Sequence, residues 1–164
     1  MLVYHGSNIA VEKPKLMEQT RGLDFGAGFY LTTNENQAGR FSEIIVNRRK
    51  SGNATVSVYD YDMDTGESIL TIQRFKSADS EWLRFVSENR MKTYDGQVCD
   101  IVIGAVANDI VMPTIQAYLG GFLSEEATLL TLKTSKLADQ LCFKSEKSLS
   151  LLNFIKSYQS GRDN

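Results

Sequence analysis

Apolar positions alternate over some short runs of this chain and recur every three or four residues over others, the periods of strands and helices respectively. Leu2-Val3-Tyr4 is a short apolar run halted at Gly6, which predicts a first strand ending in a turn. Residues 8–27 hold neither period and contain Pro14, Gly22 and Gly26, so a loop of about 20 residues is expected. Loops of that length inside a domain usually serve function. Phe29-Tyr30-Leu31-Thr32 reads as a strand, and Asn34 followed by Gln37 has capping-box spacing. A helix bearing Ala38, Phe41 and Ile45 should run from there to about Arg49.

Residues 54–61 alternate, with Val56 and Val58 on one face and Tyr59 and Tyr61 on the other. Asp64-Thr65-Gly66 predicts a turn into a second strand through Ile69, Thr71 and Gln73, which makes a hairpin. From Asp79 onward, Trp82, Phe85 and Val86 share one helical face. The nearly all-apolar run from Asp100 to Ala107 predicts a central strand covered on both faces. Pro113 should open a helix carrying Ile115, Tyr118 and Leu119 and closed by Gly120-Gly121; Ser124 with Glu125 and Glu126 should cap another. Gln140-Leu141-Cys142-Phe143 reads as a short strand, residues 146–156 as a final helix, and Ser157 to Asn164 as a frayed polar tail. Strands and helices follow no regular βαβ rhythm, and no glycine-rich phosphate loop follows a strand. The expected class is therefore α+β, in one domain over residues 1–156.

Composition narrows the partners. The chain has 164 residues, 42% of them hydrophobic, enough for one core. A net charge of −2 gives no electrostatic footprint for duplex nucleic acid and favours a protein as any macromolecular partner. The start of the chain lacks a signal peptide's basic and apolar regions, and no segment reaches the ~18 apolar residues of a membrane span. A cytoplasmic protein without membrane contact is expected. Cys99 and Cys142 both lie in apolar runs read as strands, with no histidines at ligand spacing, so buried reduced thiols are expected and no metal.

Two short segments carry candidate chemistry. Tyr4-His5-Gly6-Ser7 gathers an imidazole, a hydroxyl and a backbone without a Cβ, which lets a flat amide approach closely. A lone histidine is more often a surface or satisfied core residue. Gly26-Ala27-Gly28-Phe29-Tyr30-Leu31-Thr32 sets two glycines before an aromatic strand, where Tyr30 offers a stacking face; a β-bulge with a core tyrosine is the plainer reading.

Together these segments resemble the nucleotide site of diphtheria-toxin-like and poly(ADP-ribose)-polymerase-like ADP-ribosyltransferases, whose motifs run Tyr-His-Gly-Ser/Thr and Gly-x-Gly-Phe/Ile-Tyr. The chain is also similar to a bacterial family of domains of unknown function with a His-Tyr-Gln type site. That likeness rests on Leu23-Asp24-Phe25-Gly26-x-Gly28-Phe29-Tyr30, Glu81-Trp82-Leu83-x-Phe85-Val86-x-x-Asn89-Arg90, Asp100-Ile101-Val102-Ile103-Gly104 and Ala107-Asn108-Asp109, and spans roughly residues 3–155.

The transferase resemblance implies a split β-sheet with surrounding helices and a site that uses NAD as substrate. It maps His5 to the adenine-side ribose, the Gly6 backbone to the nicotinamide amide and Tyr30 to the nicotinamide ring, with Ser7, Gly28 and Thr32 in support. Arg21 is the candidate for the diphosphate. The family's catalytic glutamate falls at Gln140, which can orient a ribose hydroxyl but supplies neither charge nor base. Asp139 beside it points to the opposite face of the strand and reads as a solvent-facing charge at a turn. The implied activity is mono-ADP-ribosyl transfer to a macromolecule, as by the toxin of a bacterial toxin–antitoxin or phage-defence pair, with an antitoxin as partner. A catalytically weak NAD or ADP-ribose binding module, or a protein-interaction module on the same fold, stands as the alternative.

Overall fold

In chain order the strands are β1 (Leu2–Ser7), β2 (Phe29–Leu31), β3 (Thr55–Tyr61), β4 (Ile72–Arg74), β5 (Ile101–Ala105), β6 (Asp139–Phe143) and β7 (Leu152–Gln159). The helices are α1 (Glu35–Arg49), α2 (Met63–Ile69), α3 (Ser80–Met91), α4 (Met112–Leu119), α5 (Glu125–Lys133) and α6 (Glu146–Leu149). This computed structural model describes residues 1–17, 22–107, 111–135 and 137–161. The class is α+β, with two open sheets ordered β1-β3-β7 and β2-β6-β5-β4. An isolated antiparallel bridge between Tyr4 and Thr32 joins them.

Alternation along β3 decides how the layers stack. Val56 and Val58 pack with Ala38 of α1 on the outer face of the first sheet. Tyr59 and Tyr61 turn inward and meet Val3, Phe29, Leu31, Ile101, Leu141 and Phe143, which fill the space between the sheets. The other face of the second sheet carries Val102 and Cys142 and is covered by Phe25 together with Trp82, Phe85 and Val86 of α3 and Ile115 of α4. Trp82 is fully buried, and its indole N–H donates to the Ala105 carbonyl at 3.0 Å. Removing a tryptophan's roughly 200 Å² from water stabilises by about 5 kcal/mol, and the satisfied N–H avoids a desolvation cost.

Several expectations are corrected. Residues 64–73 form no hairpin. Asp62 caps α2 by accepting from the Thr65 amide (3.1 Å) and hydroxyl (2.7 Å), so the turn signal opens a helix. β4 then pairs in parallel with β5 across the α3 crossover. The final helix stops at Leu149, where the Ser145–Ser148 capping box frames a single turn, and β7 follows. Ser157, Tyr158 and Gln159, expected to begin a frayed tail, belong to β7 and pair with Ser57, Val56 and Thr55. The pairing moves from Val58–Lys156 to Tyr59–Phe154, leaving Ile155 as an extra residue that keeps Leu152 and Phe154 turned inward. Asn34 caps α1 as expected, but the Gln37 side chain donates to the Asp139 carbonyl instead of closing the capping box. Cys99 is buried just ahead of β5, outside any strand.

Candidate active site

The Tyr4–Thr32 bridge marks where the two sheets part. Thr32 exchanges both backbone hydrogen bonds with Tyr4, at 2.9 and 3.0 Å, so by the two-residue period of a strand the Tyr30 amide and carbonyl also face β1. Beyond the bridge β1 leaves β2 to follow β3, with His5 opposite Ser57 and Gly6 opposite Val56. The His5 ring takes the place of the missing ladder partner. Its Nδ1 lies 2.7 Å from the Tyr30 carbonyl oxygen, and the ring stacks on Phe29 with centroids 4.3 Å apart.

That contact fixes the tautomer. A carbonyl only accepts, so Nδ1 carries the hydrogen and Nε2 is left as the acceptor of a neutral imidazole. Burial pushes the His5 pKa below its usual value, the bond to Tyr30 pulls it back up, and the charge of Arg49 lowers it further. The neutral ring can therefore accept a hydrogen bond from a hydroxyl at Nε2. Gly6 is held in place by helix packing: a Cβ there would collide with the Ala38 carbonyl oxygen of α1. Ser7 is buried at the end of β1 opposite Thr55.

Tyr30 and Phe29 are neighbours on a strand, so Tyr30 points away from the His5 ring, toward the second core. Its hydroxyl donates to the Gly26 carbonyl at 2.5 Å and accepts from the Phe25 amide at 3.2 Å. Burial holds its pKa well above that of an ordinary phenol, with Cys142 and Asp24 adding to the rise. The phenol therefore keeps its proton, and its hydroxyl anchors the segment before β2. Gly28 lies in that segment directly against the Cys142 thiol, whose pKa burial pushes up to about 12. Lys144 also grips the segment, its Nζ donating to the Phe25 carbonyl at 2.5 Å.

Gln140 shares the Tyr30 face, two residues before Cys142, which pairs with Tyr30. It is buried, and its Nε2 lies 3.5 Å from Oδ2 of Asp24. Asp24 is the feature that sequence reasoning passed over. Its Oδ1 accepts from Arg90 Nε at 2.7 Å with Arg90 Nη2 also paired to it, and its Oδ2 accepts from the Ala107 amide at 3.2 Å. Burial raises the Asp24 pKa, while the Arg90 charge pulls it back down. A signal was present: Asp24 stands between Leu23 and Phe25, and Arg90 follows Val86 by four residues on the buried face of α3.

Asp139 is no solvent-facing turn charge. It accepts from Thr32 Oγ1 (3.0 Å), the Thr33 amide (3.0 Å) and Thr33 Oγ1 (2.8 Å), tying the start of β6 to the end of β2. Thr32 Oγ1 also accepts from the Asn34 amide. His5, Tyr30 and Gln140 thus lie on the neighbouring strands β1, β2 and β6, with His5 joined to Tyr30 through backbone and Tyr30 to Gln140 through the Asp24–Gly26 segment. Arg21, Asn108 and Asp109 fall outside the described residues. Among the described residues no cluster of His, Cys, Asp or Glu could hold a metal ion, and no helix is long and apolar enough to cross a membrane.

Residues 1–154 match the family described as protein of unknown function (DUF3990). The chain belongs to that family. No curated protein and no solved structure matches it.

Proposed function

We propose that this chain is a mono-ADP-ribosyltransferase that takes NAD as substrate and binds it in the wedge where β1 and β2 part. The observation that carries the reading is the His5–Tyr30 contact, which caps an open strand carbonyl and leaves a neutral Nε2 acceptor at the split. A dinucleotide offers ribose hydroxyls to such an acceptor and a flat amide to the Gly6 backbone. The Tyr30 hydroxyl is engaged by its own loop, so Tyr30 serves through its ring face, meeting nicotinamide on the face of β2 opposite the His5 ring while the rest of the dinucleotide crosses the gap to His5. Gln140 meets the 2′-hydroxyl of the nicotinamide ribose, and Arg21 the diphosphate.

In the reaction the bond between the ribose anomeric carbon and the nicotinamide nitrogen breaks, and nicotinamide leaves with the electron pair. The acceptor's nucleophile bonds to that carbon and releases one proton, giving ADP-ribosyl acceptor, nicotinamide and H⁺. Positive charge builds on the ribose during cleavage, so oxygen atoms aimed at it lower the barrier. The acceptor is macromolecular, with protein favoured by the near-neutral charge, and a role as the toxin of an antitoxin-controlled pair fits a cell-damaging transferase. A weak or binding-only protein is the second reading, favoured by the uncharged Gln140. Labelled NAD given to the purified chain with cell extract should mark a macromolecule, and His5→Ala should reduce the label at least tenfold. Equal labelling by His5→Ala would refute this site.

A further inference from the structure

The transferase reading leaves one chemical gap, since an amide at position 140 carries no charge, and the structure puts a carboxylate against that amide. Asp24 reaches Gln140 from the segment before β2, with Oδ2 3.5 Å from Nε2. An ionised carboxylate only accepts, so the amide edge facing it is the NH₂, and the amide oxygen points the other way. Among the described residues, the groups around Asp24 are Arg90 from α3, the Ala107 amide after β5, Gln140 and Cys142 from β6 and Tyr30 from β2. Arg90 is the cation of this set, and it binds Oδ1, leaving Oδ2 to the Ala107 amide and Gln140.

We infer that Asp24 is a positioning residue of the proposed transferase site: by holding the Gln140 amide nitrogen, it turns the amide oxygen toward the ribose hydroxyl and lends it negative charge. Gln140 and Asp24 together then do what a single glutamate does in the resembling enzymes. This inference rests on the transferase reading and accounts for the amide at position 140. A glutamate there would set a second carboxylate against Asp24 in a buried site where Arg90 is already bound to Asp24 Oδ1, and the repulsion between them would raise the pKa of one acid.

The test is a carboxylate swap. Nicotinamide release from NAD, with water as acceptor, and NAD binding by calorimetry are measured for the full chain and for Asp24→Asn, Gln140→Glu and the double Asp24→Asn/Gln140→Glu. Asp24→Asn should lower kcat on the order of 100-fold with KM little changed, the scale of losing one electrostatic contact to the developing charge. Gln140→Glu alone should also lose at least tenfold. The double variant returns one carboxylate and one amide to the pair in exchanged positions, and should recover to within about tenfold of the starting chain. A purely structural ion pair would leave the double variant as impaired as Asp24→Asn, and that result overturns the inference while leaving the transferase reading in place. Unchanged turnover in Asp24→Asn does the same. A starting chain that neither binds NAD nor releases nicotinamide overturns both.

Discussion

Replacing Arg90 with methionine keeps the aliphatic stem and removes the guanidinium from Asp24. The Asp24 side chain is 7% exposed and that of Arg90 26%. Removing one partner of a buried pair costs about 3–5 kcal/mol, because the other charge is left unpaired. Arg90's remaining contact with water puts Arg90→Met at the lower end, about 3 kcal/mol at pH 7. For a chain of this length that is a fall in Tm of roughly 6–12 °C. The pH dependence separates charge from packing. Burial already raises the folded Asp24 pKa, and loss of Arg90 raises it further. An acid whose folded pKa lies above its unfolded value destabilises the fold at pH values above that folded pKa. The penalty fades as pH falls and the carboxyl becomes protonated in both states. Thermal melts followed by circular dichroism should therefore show a large deficit at pH 7 and a small one near pH 4. Asp24→Asn/Arg90→Met should recover most of the loss at pH 7. A deficit of equal size at both pH values, with no recovery in the double variant, would refute the ion-pair account and leave Arg90 a packing residue.

Two further outcomes are expected. His5 is the chain's single histidine, so its imidazole proton NMR signal titrates alone; the midpoint should lie below 6.5. Below pH 6.5 the unfolded chain takes a proton that folded His5 resists, so stability should fall as pH drops, and His5→Phe should flatten that slope; a midpoint at or above 6.5 sinks the argument. Asp139→Ala should cost about 1–2 kcal/mol and speed hydrogen exchange at the Thr33 amide, because three donors lose their acceptor. Unaltered exchange at Thr33 would show that Asp139 does not hold this junction.

Local chemistry made much of the fold legible. The caps at Asn34, Asp79 and Ser124 and the proline near the start of α4 each act within a few residues, and each helix begins where its cap stands. The errors fall where distant pairing outweighs local preference. The stretch from Leu149 to Ile155 has helical spacing, yet from Leu152 onward it is strand because β3 offers a free edge built much earlier in the chain. α2 has seven residues and a central glycine, too few positions for a period to emerge. The same division holds at the candidate site. The strands bearing His5, Tyr30 and Gln140 were readable from their flanking glycines and apolar runs, whereas Asp24 and Arg90 lie 66 residues apart and declare their pairing only once α3 packs on the second sheet.

The order of the first sheet also has a consequence in time. β3 lies between the first and last strands, and more than half of the chain is made between Tyr61 and Leu152. Ribosomes add about 5–20 residues each second, so for several seconds the nascent chain holds β1 and β3 without β7. Over that interval the outer edge of β3, with its run of buried side chains, is unpaired and open to association with other chains. The strand carrying His5 thus belongs to a sheet that stays incomplete until β7 has been made, long after β3.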